Sequence, residues 1–79
     1  MTRIEALKWI ADIFEEPADR ITPDTPRSDI QAWDSLGVLT LMADFDQTFG
    51  IILSDEEIQS MKGVNDILEI LRTNGKLSE

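Results

Sequence analysis

Neither cysteine nor histidine nor tyrosine occurs in this 79-residue chain. Without cysteine, no disulfide and no thiolate metal site can hold a small fold together. Without histidine, the usual general base and the commonest transition-metal ligand are gone, so a serine triad or a zinc hydrolase would need chemistry this chain does not possess. No catalytic residue and no metal ligand is therefore expected. Apolar runs are short as well: none approaches the roughly 18 residues of a membrane span. Met1-Thr2-Arg3-Ile4 reads as the start of a helix rather than as a signal peptide. These absences predict a soluble, cytoplasmic protein with no membrane span.

Positive charge is the other scarcity. The net charge is −9, which argues against nucleic acid, whose phosphates would be repelled. Its distribution is uneven. Residues 28–61 carry Asp29, Asp34, Asp44, Asp46, Asp55, Glu56 and Glu57 with no Lys or Arg, whereas the first 27 residues are nearly balanced and the last 18 are neutral. Such a field serves either as a solvating surface or as a face that steers basic partners.

At this length one domain, residues 1–79, accounts for the whole chain, with a core that is only just sufficient. Thr2 and Glu5 form a capping box, and Ile4, Leu7, Ile10, Ala11 and Phe14 recur at helical spacing, which predicts a first helix. Trp9 lies off that stripe and is expected to cover the helix flank. From residue 15 to 33 the periodicity stops, and Pro17, Pro23 and Pro26 make a continuous helix there unfavourable. So long a loop needs anchors, for which Ile21, Ile30 and Trp33 are the candidates.

At Trp33-Asp34-Ser35-Leu36-Gly37 the loop gives way to the most regular segment of the chain. Asp34 reads as an N-cap, with an oxygen able to accept from the free N–H groups of the first turn. Ser35 then takes the first helical position, where a surface hydroxyl at the electropositive end of a helix suits an attached or bound phosphate. The helix is expected over residues 35–49, with Gly50 as its left-handed terminator. Val38, Leu41, Met42, Phe45 and Phe49 form its inward stripe. Leu36, Leu39 and Ala43, with Thr40 and Gln47, lie on another side. Ser54 and Glu57 form a second capping box and start a short helix to about residue 60. A last helix begins after Gly63, with Val64, Ile67, Leu68 and Leu71 inward, and ends at Asn74-Gly75; residues 76–79 are expected to fray. The sum is an all-α fold: a small four-helix bundle of three longer helices and one short one, with a long loop between the first and second.

Asp34-Ser35-Leu36 opening a helix, the apolar ladder Leu36, Leu39, Leu41, Phe45, Phe49 and Ile51, the acidic segment Ser54-Asp55-Glu56-Glu57-Ile58 and the final Val64-Asn65-Asp66-Ile67-Leu68 together resemble the acyl carrier protein family over essentially the whole chain. The resemblance implies a non-catalytic carrier. Ser35 would hold a covalent 4'-phosphopantetheine arm derived from coenzyme A, whose terminal thiol carries acyl intermediates as thioesters for fatty-acid, polyketide or related biosynthesis. Asp34 would serve as N-cap and in recognition by the phosphopantetheinyl transferase. Leu36, Leu39, Thr40, Ala43, Asp44, Asp46 and Gln47 would form the surface for that transferase and for acyl-loading and acyl-transfer enzymes with basic surfaces, the carrier itself being a monomer. The match departs from the fatty-acid carriers, which place acids where this chain has Gly37 and Thr40. It also lacks the Gly-Gly-x-Ser approach of peptidyl carriers. An aminoacyl or peptidyl carrier of a specialised pathway therefore stays open, as does an acidic helical adaptor that is never modified. A calcium loop at Asp44-x-Asp46-x-Thr48 fails in detail, because Gly50 is at position seven and Asp55 at twelve, where an EF-hand needs Gly at six and Glu at twelve.

Overall fold

Residues 1–78 are described by a computed structural model. Thr2 begins the first helix, α1 (Arg3–Ile13): its hydroxyl accepts from the Glu5 N–H at 3.1 Å and the Glu5 carboxylate accepts from the Thr2 N–H at 2.8 Å. That backbone hydrogen bond holds the Glu5 carboxyl below the usual carboxylate range. The buried face of α1 runs through Ala6, Ile10, Ala11 and Ile13 and on to Phe14. Ile4, expected on the stripe, is 67% exposed. Two residues of helix separate it from Ala6, a rotation of about 200°, so one faces water when the other faces the core. α1 closes with the Glu16 N–H donating to the Ala11 carbonyl at 2.9 Å, and Glu15 takes the left-handed backbone (φ 55°) that glycine usually occupies there.

The long loop is anchored as its sequence predicts. Ile21, Ile30 and Trp33 are all buried, and Trp33 stacks on Phe14 with centroids 4.9 Å apart. Two short 3₁₀ turns, Ala18–Arg20 and Arg27–Asp29, shape the path between the anchors. The loop is also stitched to the far end of the chain: the Arg27 N–H donates to the Lys62 carbonyl at 2.8 Å and the Val64 N–H to the Thr25 carbonyl at 3.0 Å. A Cβ on Gly63 would sit 2.7 Å from the Thr25 carbonyl oxygen, so this approach requires glycine.

The second helix, α2 (Ser35–Asp44), does not continue as an α-helix to residue 49. Phe45–Phe49 forms a π-helical turn before Gly50 ends the segment at φ 67°. The wider turn keeps both phenylalanines against α1, where Trp9 meets Phe45 at 5.1 Å and Phe49 at 5.2 Å, edge to face. Leu41 and Phe45 are fully buried, while Val38, Met42 and Phe49 are half-buried against them. Trp9 is half-buried on the flank, as expected.

The short helix α3 (Asp55–Ser60) starts at the Ser54–Glu57 capping box. α4 (Val64–Thr73) starts after Gly63, and the Asp66 carboxylate accepts from the N–H groups of Lys62 and Gly63. Its face of Val64, Ile67, Leu68 and Leu71 is buried. Of residues 76–79, expected to fray, residues 76–78 are tied down: the Met1 ammonium donates to the Lys76 carbonyl at 2.8 Å, and the Ser78 N–H and hydroxyl both donate to the Met1 carbonyl. Leu77 packs on the core, and Glu79 lies outside the described residues. The result is an all-α arrangement of four helices, with no strand among the described residues.

Candidate functional site at the start of the second helix

Ser35 is exposed and is the first residue of α2. Asp34 has extended backbone (φ −120°), and its carboxylate accepts from the Gly37 N–H at 3.0 Å, so the predicted cap is formed. The N–H groups of Ser35 and Leu36 belong to the first turn, where no intrahelical carbonyl can reach them. The hydroxyl thus stands at the positive end of the helix dipole, beside donors suited to phosphate oxygens.

What holds the turn in place is a contact that sequence reasoning missed. Gly37 is buried, and a Cβ there would lie 1.9 Å from the Ala32 carbonyl oxygen and 3.2 Å from the Phe14 ring. The first turn of α2 therefore lies directly on the main chain of the loop before it. A glycine inside a good amphipathic helix was the available signal, since it costs about 1 kcal/mol against alanine and needs a packing reason. The same contact explains why this chain has no acid after Asp34-Ser35-Leu36: the position faces inward.

Beside Ser35 a cleft of about 270 Å³ separates the end of α1 from the start of α2, lined by Asp12, Ile13, Glu15, Asp34, Leu36 and Thr40 among others. Asp12 and Glu15 reach this cleft from 23 and 20 residues before Ser35, with no local sequence signal.

Of the expected partner residues, five lie on α2 and two on the π-helical turn after it. Leu36 (73% exposed), Leu39 (63% exposed) and Ala43 follow at i, i+3 and i+7 and are all exposed. Thr40 is half-buried, with its hydroxyl donating to the Leu36 carbonyl at 3.1 Å. Asp44 is half-buried at the end of the helix, and Asp46 and Gln47 are exposed on the π-helical turn. Asp44, Asp46 and Thr48 thus lie on helical backbone, not on a cation-binding loop, and no group of three or more acids able to hold a metal occurs among the described residues. No helix among them is long and apolar enough to cross a membrane.

The phosphopantetheine attachment site family matches residues 7–71. The chain is similar to an acyl carrier protein homolog of Mycoplasmopsis pulmonis, with 36% identity over 70 residues that span 87% of this chain and 94% of that protein. It is also similar to an acyl carrier protein of Coprothermobacter proteolyticus, with 39% identity over 41 residues, 52% of this chain and 50% of that one. The chain belongs to the phosphopantetheine-attachment family of acyl carrier proteins.

Membership implies a carrier rather than a catalyst, served by a phosphopantetheinyl transferase and by acyl-handling enzymes. Its prosthetic group is a covalently attached 4'-phosphopantetheine, which brings a thiol to a chain that has none. The start of α2 fits that group, with an exposed hydroxyl and first-turn N–H groups beside it that no intrahelical carbonyl can reach.

Proposed function

We propose that Ser35 is the attachment residue and that residues 1–79 act as one acyl carrier, a monomer that presents acyl thioesters to the enzymes of a specialised pathway. The observation that carries this reading is the exposed Ser35 hydroxyl on the first turn of a helix whose cap, Asp34, and whose seat, Gly37 on Ala32, are both built. Asp34 orders the turn that the transferase must meet. Leu36, Leu39 and Ala43 give an apolar strip, and Asp44, Asp46 and Gln47 continue it as a polar and acidic end that complements a basic partner surface. The replacement of the acids of fatty-acid carriers by Gly37 and Thr40 supports a polyketide or related specialised role over housekeeping fatty-acid synthesis.

Incubation with coenzyme A and a broad-specificity phosphopantetheinyl transferase is expected to add one phosphopantetheinyl group, located by peptide mass analysis on the segment containing Ser35. Ser35→Ala is expected to stay unmodified while keeping its fold. Modification of Ser35→Ala, or failure of the folded wild-type chain with several active transferases, would sink the assignment and leave an unmodified acidic adaptor.

A further inference from the structure

The two basic residues that bracket the acidic half of the sequence, Arg27 and Lys62, meet in space. The hydrogen bond from the Arg27 N–H to the Lys62 carbonyl and the close approach of Gly63 to Thr25 hold them side by side. Between them opens a cleft of about 590 Å³, lined by Arg27, Ser28, Ile30, Gln31, Trp33 and Lys62. In a chain of net charge −9, this cleft has two cations and no acid on its walls. Neither cation has an ion-pair partner among the described residues, whereas Arg72 pairs with Glu69. Asp24 and Asp66 line a separate cleft that shares Lys62 with this one, and the Asp66 carboxylate there accepts from the Lys62 backbone N–H.

The wall itself has no carboxylate. The Arg27 guanidinium lies 5.3 Å over the Trp33 ring, leaving its N–H edge for a planar oxyanion. Ser28 and Gln31 add neutral groups that can donate or accept. Trp33 is 6% exposed, and its indole N–H is the buried side-chain polar atom that has no hydrogen-bond partner among the described residues. The cleft therefore offers two cations with no carboxylate to balance them, and an anionic ligand supplies what is missing.

We propose that this cleft is a carboxylate subsite for the arm's own cargo: it takes the distal carboxylate of a short dicarboxylic acyl group carried on the phosphopantetheine. The proposal rests on Ser35 being the attachment residue. Trp33 precedes Ser35 by two residues, at most about 7 Å along an extended chain, and an arm with two amides and a terminal thiol is longer than that. Tethering also answers the charge problem. A free anion is repelled by the molecule as a whole, whereas a group on a flexible tether is present at millimolar effective concentration. Ile30 and Trp33 provide an apolar floor for the methylenes between the thioester and the carboxylate.

The chain has two tryptophans, so its indole N–H groups give two amide-type proton–nitrogen NMR signals, assigned with Trp9→Phe. The transferase is supplied with acetyl or malonyl coenzyme A, which installs the acylated arm whole, and mass analysis confirms loading. The expected result is a shift of the Trp33 indole signal with malonyl that acetyl does not produce, and its loss in Arg27→Gln/Lys62→Gln. Lys62→Gln alone, at an exposed position, serves if the double variant loses its signal dispersion. Equal shifts for the two cargoes, or a malonyl-specific shift that survives the substitutions, overturns the proposal. A parallel titration of the unmodified chain with free malonate and with inorganic phosphate separates the sources. A weak malonate shift reached only at millimolar concentration agrees with a tethered ligand. A saturating shift with free phosphate and none with the tethered malonyl makes the cleft a free-anion site and overturns the cargo assignment. If Ser35 accepts no arm, the carrier reading and the cargo claim fall together, and the free-malonate titration still decides whether the cleft binds carboxylate.

Discussion

At the level of single residues, Asp34, Ser35 and Gly37 do three different things within one turn. Ser35 presents an atom to solvent, so Ser35→Ala should change stability by less than about 0.5 kcal/mol while abolishing modification. Asp34 satisfies the Gly37 N–H, and Asp34→Ala should cost about 1 kcal/mol as a lost cap, with slower modification. Urea midpoints set against modification yields separate these two effects. Gly37 is the sharper test, because helix propensity and the structure predict opposite signs. Propensity alone makes Gly37→Ala stabilising by about 1 kcal/mol. The overlap with the Ala32 carbonyl, which is main chain and cannot rotate away, makes it destabilising by about 3 kcal/mol and displaces the turn that carries Ser35. A Gly37→Ala chain at least as stable as wild type would show that α2 does not rest on Ala32. The cap and the serine were legible because they are local signals of residue type and order. The Gly37 contact was not, since it depends on how a loop with three prolines passes under a helix.

Among the elements, α2 shows where periodicity informs and where it stops. The 3.6-residue pattern puts Leu41 and Phe45 on the inward stripe, where the structure buries them, and separates Leu36 and Leu39 onto another side without deciding between spare core and surface; the structure exposes both. The π-helical turn at Phe45–Phe49 left no mark in that pattern, because a single wider turn shifts only the last residues. Its effect is to retain Phe49 on Trp9 as a half-buried flank instead of a core residue. Truncation should therefore split the pair: Phe45→Ala should cost about 3 to 5 kcal/mol, and Phe49→Ala about half of that. Against the 4 to 12 kcal/mol typical of a domain of roughly this size, the first loss approaches global unfolding and the second does not. Denaturant titrations of the two variants side by side measure the difference, and equal losses would place Phe49 fully in the core. The loop anchors Ile21, Ile30 and Trp33 were legible as isolated apolar residues between prolines, whereas the stitching of Arg27 to Lys62 pairs positions 35 apart and has no local signature.

For the molecule as a whole, the net charge of −9 is the feature on which the proposed steering of basic partners depends. A small carrier visits several enzymes in turn, so its complexes must form quickly and also part quickly; long-range attraction raises the association rate without adding buried contacts that would slow release. Asp46 on the π-helical turn is exposed and Asp44 half-exposed, beyond the apolar strip of Leu36, Leu39 and Ala43. Their interaction with a basic partner is screened over about 8 Å at physiological ionic strength. Raising the salt concentration should therefore lower the association rate with the cognate transferase much more than it raises the dissociation rate, and Asp44→Asn/Asp46→Asn should reproduce part of that loss at low salt and flatten the remaining salt dependence. Leu39→Ala should do the reverse, with little change in association and faster dissociation, because it removes contact area instead of field. Stopped-flow or surface-based kinetics on the three proteins across a salt series resolves the two rates. An association rate indifferent both to salt and to the paired aspartate substitutions would mean that the acidic half of the chain only solvates the fold, and that partners recognise the apolar strip alone.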